Sequence, residues 1–172
     1  MALRFDPLDE ARRQWDERGW GALEAMSAAT AVTRAHQLLL AGIDRILRPY
    51  GLTFSRYEAL VLLTFSRTGA LPLGKMGERL MVHPTSVTNT IDRLEGAGYV
   101  HRVPHPTDRR TVLAEITDAG REAVKLATDA LVAAEFTVPE LPPPLVERLL
   151  DALVAARPPR PDPPGEADVR SP

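Results

Sequence analysis

The feature that most constrains this chain is a change of hydrophobic period at Gly98. Upstream, His83 to Gly98 reads as a helix. Pro84 stands at the first helical position, where its missing N–H is no loss, and Gly98 stands where a helix ends in a left-handed turn. Val87, Ile91 and Leu94 fall at i, i+4 and i+7 and share one narrow apolar face. Downstream the pattern alternates: Tyr99 to Val103 and Thr111 to Ile116 read as paired strands, joined by the turn-rich Pro104-His105-Pro106-Thr107-Asp108-Arg109-Arg110. A very short strand at Pro72-Leu73 and a short helix from Gly74 to Leu80 come before, and Met81-Val82-His83 forms the turn between the two helices.

Opposite its apolar stripe, the second helix carries Thr85, Asn89, Asp92, Arg93 and Gly96, with Ser86 and Thr88 beside them. Surface helices ordinarily show Lys and Glu there. Short hydrogen-bonding side chains suit base edges and phosphates in a DNA major groove, although a capped, solvated helix shows the same residues. The chain as a whole carries −2, but between Tyr99 and Thr111 Arg102, Arg109 and Arg110 stand against Asp108 alone, a local +2. A basic footprint therefore lies beside the polar helix.

The flanking segments are helical. Asp9 to Arg18 forms a short helix with Leu8, Trp15 and Trp20 as docking residues, and a helix of about 25 residues runs from Ala22 to about Leu47, stopped by Pro49 and Gly51. Leu52 to Phe65 is a further helix, capped by Thr53 or Ser55, with Ser55 and Glu58 at capping-box spacing. Thr117 caps a helix from Asp118 to about Phe136, and a last helix runs from Leu145 to about Ala156. Aromatics make up only 5% of the chain, so the interior is built mainly from Leu, Val and Ala, a composition that favours helices.

This order of elements is that of a winged helix-turn-helix. The expected fold is mainly α with a small β-hairpin wing: a winged helix-turn-helix domain plus a helical dimerisation unit. Residues 1–48 supply the N-terminal dimerisation helices, 52–117 the DNA-binding domain and 118–157 the C-terminal dimerisation helices. Residues 158–172, rich in proline, read as a disordered tail. The apolar stripes of the outer helices exceed what the central module covers, so a homodimer is expected. Its two-fold axis would set paired recognition helices about 34 Å apart on a palindromic DNA site.

Absences narrow the function. The chain has no cysteine, which removes disulfides, thiolate zinc sites and thiol redox chemistry. No basic leader with an apolar core and no membrane-length apolar run is present, so a cytoplasmic protein without membrane contact is expected. His83, His101 and His105 lie near Asp92 and Asp108 in sequence, but no third group or activated nucleophile accompanies them. Two histidines do not make a metal site. No enzyme activity, metal or cofactor is expected.

Taken together, these residues carry a resemblance. The segment from Leu52 to about Gly120 resembles the MarR family of bacterial transcriptional regulators, through Pro84-Thr85-Ser86-Val87-Thr88, Arg93-Leu94-Glu95 to Gly98, the wing Arg102…Asp108-Arg109-Arg110, and the closing Ile116-Thr117-Asp118-Ala119-Gly120. The resemblance implies an obligate homodimer that binds operator DNA, often as a repressor released by a small ligand. It also implies that the wing aspartate holds an arginine two residues on, and that this arginine enters the minor groove. Asp108 and Arg110 occupy those positions. A carboxylate orients the planar guanidinium, and a narrow minor groove attracts it. The expected DNA-binding residues are Thr85, Ser86, Thr88, Asn89 and Arg93 on the helix, with Asp108, Arg109 and Arg110 in the wing. Asn89 would pair with adenine, Arg93 with guanine or phosphate, Thr85 with a thymine methyl or phosphate, and Arg109 with a phosphate. His83 stands where the family more often has a small capping residue.

For effectors, the resemblance implies an anionic aromatic ligand in a crevice between the helical dimer unit, residues 1–48 included, and the winged domain. One branch, the urate-responsive regulators, adds an N-terminal helix with a tryptophan, an acid on the helix after the long one, an arginine on the recognition helix and an arginine entering the wing. Trp15 and Arg102 match the first and last, Glu58 replaces the usual aspartate, and Thr90 stands where the arginine should be. Threonine supplies no bidentate partner for an anion, so urate binding is not carried over. The candidate ligand residues are Trp15, His36, Glu58 and Arg102, three of which have a plainer role. Trp15 can dock the extra helix, Glu58 can close a capping box, and Arg102 can contact a phosphate. The alternative function is a winged-helix dimer that serves as a protein-interaction module without ligand response. Such a surface favours exposed aromatics and leucine, which Thr85 to Arg93 lacks.

Overall fold

The computed structural model of the chain describes residues 6–108, 110–137 and 143–155. Arg109 and the expected tail, 158–172, lie outside the described residues. The chain divides into two compact units with the boundary after Thr137.

The first unit begins with α1 (Pro7–Glu17), whose start is fixed by Pro7 and by Asp6, which accepts the Leu8 N–H at 2.7 Å. The 25-residue α2 (Leu23–Leu47) follows, with Ile43 and Leu47 buried near its C-terminal end. A 3₁₀ turn and Gly51, at φ 69°, close it. In α3 (Phe54–Phe65), Tyr57, Ala59, Leu60 and Leu63 are buried. Its cap differs from expectation. Neither Thr53 nor Ser55 makes a capping bond; Asp44 of α2 reaches across to accept the Phe54 N–H at 2.7 Å. A charged acceptor held on a neighbouring helix satisfies the orphan donor, so the Ser55–Glu58 capping box does not form.

The short strand β1 (Ala70–Pro72) starts two residues earlier than the sequence predicts, because Leu73 already belongs to α4 (Leu73–Leu80). After α5 (Pro84–Gly96) come β2 (Val100–Pro104) and β3 (Val112–Ile116). The sheet has the order β1-β3-β2 and is antiparallel throughout, with Leu71 opposite Ala114 and Val100 opposite Ile116. The wing is thus a hairpin with a third strand on its open edge. Then α6 (Asp118–Ala133) leaves the sheet with Thr117 as its cap, Oγ1 accepting the Gly120 N–H at 3.0 Å.

Leu47, Leu60, Leu63, Met76, Ile91, Leu94 and Leu131 are fully buried, so α2, α3, α4, α5 and α6 share one core. Each such side chain contributes about 1.5–3 kcal/mol by burial. The junction between wing and α6 is especially tight. Thr117 donates its hydroxyl to the Gly98 carbonyl at 2.8 Å and its N–H to the Tyr99 carbonyl at 3.0 Å. A Cβ on Gly120 would stand 2.3 Å from that same Tyr99 oxygen, which explains the glycine in the closing motif.

The described part of the second unit is α7 (Pro143–Ala155), which presents Leu149, Leu150, Leu153 and Val154 as exposed apolar side chains.

Candidate nucleic-acid interface

The reading surface is built on α5. Val87, Ile91 and Leu94 anchor one face in the core, which leaves Thr85, Ser86, Thr88, Asn89 and Arg93 exposed on the other. His83 is the N-cap: its Nδ1 accepts the Thr85 N–H at 3.3 Å and lies 3.1 Å from the Thr85 hydroxyl. The imidazole thus does what a serine or aspartate does elsewhere. Thr88 donates its hydroxyl to the Pro84 carbonyl at 3.2 Å, which leaves the oxygen as an outward acceptor. On the inner side Gly77 lets α4 close in. A Cβ there would meet the Val82 carbonyl at 3.3 Å and Val87 at 3.4 Å.

In the wing, Asp108 binds Arg110 differently from the expected carboxylate–guanidinium pair. Its Oδ1 accepts the Arg110 backbone N–H at 3.0 Å, and its Oδ2 accepts the Thr111 hydroxyl at 2.6 Å. This is Asx-turn chemistry, in which a short side chain reaches its own backbone two residues on. Asp108 therefore sets the path of the chain at Arg110, whose side chain is exposed. The Thr111 hydroxyl, and then the Arg110 amide, hold the Asp108 carboxyl below the usual carboxylate range. His105 organises the same loop, its Nδ1 accepting the N–H groups of Thr107 at 3.3 Å and Asp108 at 3.2 Å. The tripeptide His-Pro-Thr occurs at 83–85 and at 105–107, and in both copies the imidazole Nδ1 accepts the threonine N–H. The repeat is visible in the sequence, but its shared geometry is not.

Arg102 is already engaged. It lies 2.5 Å from Asp92, pairs with Glu95 as well, and donates its backbone N–H to Glu95 at 3.1 Å. The local excess of positive charge on the hairpin is reduced accordingly. Other cations compensate. Arg56 and Thr53, at the start of α3, line a concavity of about 610 Å³ together with Asn89, Thr90, Asp92 and Arg93. Lys75, at the start of α4, lines another of about 540 Å³ with His105, Arg110 and Thr111. Neither Arg56 nor Lys75 stands out in the sequence, because each is an ordinary cation until the fold sets Arg56 beside the reading surface and Lys75 beside the wing.

The four candidate ligand residues occupy different places. Trp15 donates its Nε1–H to the Gly21 carbonyl at 2.9 Å and packs edge-on against Trp20 at 4.9 Å. With Arg12 paired to Glu24 at 3.0 Å, this docks α1 onto the start of α2. His36 is exposed on α2. Of the four, Glu58 alone lines an apolar groove of about 370 Å³ along α3, and burial there pushes its carboxyl up from its ordinary value. Among the described residues, no group of three or more His, Cys, Asp or Glu side chains could hold a metal ion, and no helix is long and apolar enough to cross a membrane.

Comparison with known proteins agrees with this geometry. Residues 54–112 match the family model of the MarR family. The solved structure of Sco5413, a MarR family transcriptional regulator from Streptomyces coelicolor, is 50% identical; the match covers 77% of this chain and 91% of that one, with a TM-score of 0.73. The HTH-type transcriptional regulator PecS of Dickeya dadantii is 29% identical over 121 residues, 68% of this chain and 72% of PecS. The regulator MOSR of Mycobacterium tuberculosis, solved in complex with DNA, is 28% identical with a TM-score of 0.61, covering 75% of this chain and 94% of MOSR. The chain spans about half the length of the curated mycobacterial regulators it matches at 41% identity. Reading helix, wing and comparisons converge: the chain belongs to the MarR family of winged helix-turn-helix, DNA-binding transcriptional regulators.

Proposed function

We propose that the chain is a homodimeric repressor, acting in the cytoplasm, that binds a palindromic operator and is released by a small ligand. The observation that carries this reading is the exposed row Thr85, Ser86, Thr88, Asn89 and Arg93 on a helix whose other face is locked in the core, with Arg56 set beside it and Lys75 beside the wing residue Arg110. A rigid helix with short donors and acceptors selects bases, and surrounding cations grip phosphates. The wing carries Arg110 toward the minor groove.

Dimerisation is supported by apolar surface that the single chain leaves in solvent. Val32 and Leu38 on α2 are 54% and 75% exposed, and Leu126 and Val132 on α6 are exposed as well. A second copy covering these helices would bury them and set two reading helices on one two-fold axis. Affinity for the DNA upstream of the protein's own gene, measured by fluorescence anisotropy against a scrambled duplex, tests the proposal. Preference for the native sequence is expected; equal affinity for both overturns it.

A further inference from the structure

We propose that His83 and His105 are paired positioning residues whose neutral imidazoles hold the DNA-reading surface, so that their protonation trades operator specificity for non-specific grip. The inference rests on the regulator reading above and concerns its control by pH. The observation is one hydrogen-bond pattern built twice. At the N-cap of α5, His83 Nδ1 accepts the Thr85 N–H at 3.3 Å and lies 3.1 Å from the Thr85 hydroxyl. In the wing, His105 Nδ1 accepts the Thr107 N–H at 3.3 Å and the Asp108 N–H at 3.2 Å, and lies 3.3 Å from the Thr107 hydroxyl. One histidine thus fixes the first turn of the helix that carries Thr85, Ser86 and Thr88. The other fixes the loop that carries Asp108 and Arg110.

A backbone N–H can only donate, so each Nδ1 needs its lone pair and the ring proton belongs on Nε2. An imidazolium carries hydrogen on both nitrogens and has no acceptor to offer. Each threonine hydroxyl can turn to accept from a protonated Nδ1, but the backbone amides of Thr85, Thr107 and Asp108 lose their partner. A cation at the N-cap also meets the positive end of the α5 dipole. Imidazoles change charge between about pH 5 and 8, so both contacts are made at mildly alkaline pH and lost as pH falls through that window. The Asp108 carboxyl, held below the usual carboxylate range, stays charged across it.

The charged surroundings of the two rings differ. His105 faces Asp108 in its own loop, and shares a concavity with Lys75 and Glu78 of α4 and Arg110 across the hairpin. The elements packed against α5 carry Lys75, Glu78 and Arg79 on α4, Arg56 and Glu58 on α3, and His101 and the paired Arg102 on β2. Among the described residues none of these forms an ion pair or hydrogen bond with His83, so nothing replaces its cap. On DNA, the new charges attract phosphates whatever the sequence. Two effects therefore run in opposite directions. Lost caps unsettle the side chains that read bases, and added charge strengthens the attraction that reads none.

Anisotropy titrations of the full chain at fixed salt, with the duplex from upstream of its own gene and a scrambled duplex, read both effects at about pH 8 and about pH 5.5. The affinity ratio of native to scrambled DNA is expected to fall about tenfold in acid, with scrambled DNA bound as well or better. The double variant His83→Asn, His105→Asn should keep its ratio, because an amide oxygen accepts from the same backbone N–H at any pH. That variant leaves His36 and His101 in place. A ratio that is flat in the wild type, or that falls as far in the double variant, overturns the proposal. Nitrogen NMR of the DNA-free chain at about pH 8 checks the premise. A proton on Nε2 of both rings is expected, and a proton on Nδ1 of either overturns it. Absence of any preference for native DNA at the alkaline pH overturns the regulator reading and this inference with it; a preference that ignores pH sinks only the inference.

Discussion

Arg102, on the first wing strand, holds Asp92 of the recognition helix across 2.5 Å and grips Glu95, nearly one turn further on, with its other terminal nitrogen. The pairing places the wing in register with α5. It also neutralises two exposed carboxylates on the helix that carries the proposed reading surface. The Arg102 side chain is only 26% exposed, so the fork is sheltered on the helix rather than offered to DNA.

Replacing Arg102 with alanine is expected to lower DNA affinity by about tenfold or more, because two acids are unmasked beside the phosphates. The melting temperature should barely move, since ion pairs near the surface contribute about 0–1 kcal/mol. Anisotropy titrations and thermal melts on the same samples separate the two effects. Arg102→Lys should recover part of the affinity, because an ammonium keeps the charge but not the two-pronged geometry.

Arg110→Ala should weaken operator binding by about tenfold or more and leave the oligomeric state unchanged. Lys75→Ala should weaken specific and scrambled DNA alike, as expected of a residue that touches a phosphate. Each phosphate that the protein ceases to neutralise flattens the slope of log affinity against log salt by about 0.9. Titrations from low to moderate salt measure it, and an unchanged slope in Lys75→Ala would remove that residue from the interface.

The wing turn should loosen in acid. The Asp108 carboxyl is held below its ordinary value by Thr111 and by the Arg110 amide, so its contribution is present above the usual carboxylate range and is lost as pH falls through the lowered value. The Arg110 amide should therefore lose protection, measured relative to the intrinsic exchange rate at each pH, as pH falls through the lowered value. In Asp108→Asn the neutral side-chain oxygen can still accept from the Arg110 amide, so the turn persists with a flattened pH response.

Gly120→Ala is expected to destabilise the fold by about 1–3 kcal/mol, because the new Cβ meets a backbone carbonyl that has nowhere to move. Gly96, at the end of α5, has open space around it, and Gly96→Ala should stabilise the helix by roughly 0.5–1 kcal/mol. Urea denaturation of both variants reads the contrast.

Much of this architecture is legible in the sequence, for local reasons. Pro84 and the Val87–Ile91–Leu94 stripe fix α5, alternation fixes β2 and β3, and Thr117 marks the start of α6. What sequence misses is carried by partners brought together in space. Asp44 caps a helix ten residues away, Arg102 finds acids on another element, and Arg56 reaches the reading surface from α3. Asp108 shows a subtler limit. Its spacing to Arg110 is legible, but the bonds its carboxylate makes, to the Arg110 amide and the Thr111 hydroxyl, are not. Glu58 is legible as an acid, but the aromatic and aliphatic side chains that share its groove come from three separate elements.

The Thr117–Gly120 junction has a mechanical consequence. With Gly98 and Tyr99 stitched to the first turn of α6, that helix is geared directly to the end of the reading helix. Sixteen residues make α6 about 24 Å long, so a tilt of about 5° at the junction displaces its far end by about 2 Å. In the proposed dimer the gearing runs both ways: a small slip between subunits becomes a change in the pitch at which the two heads meet the double helix.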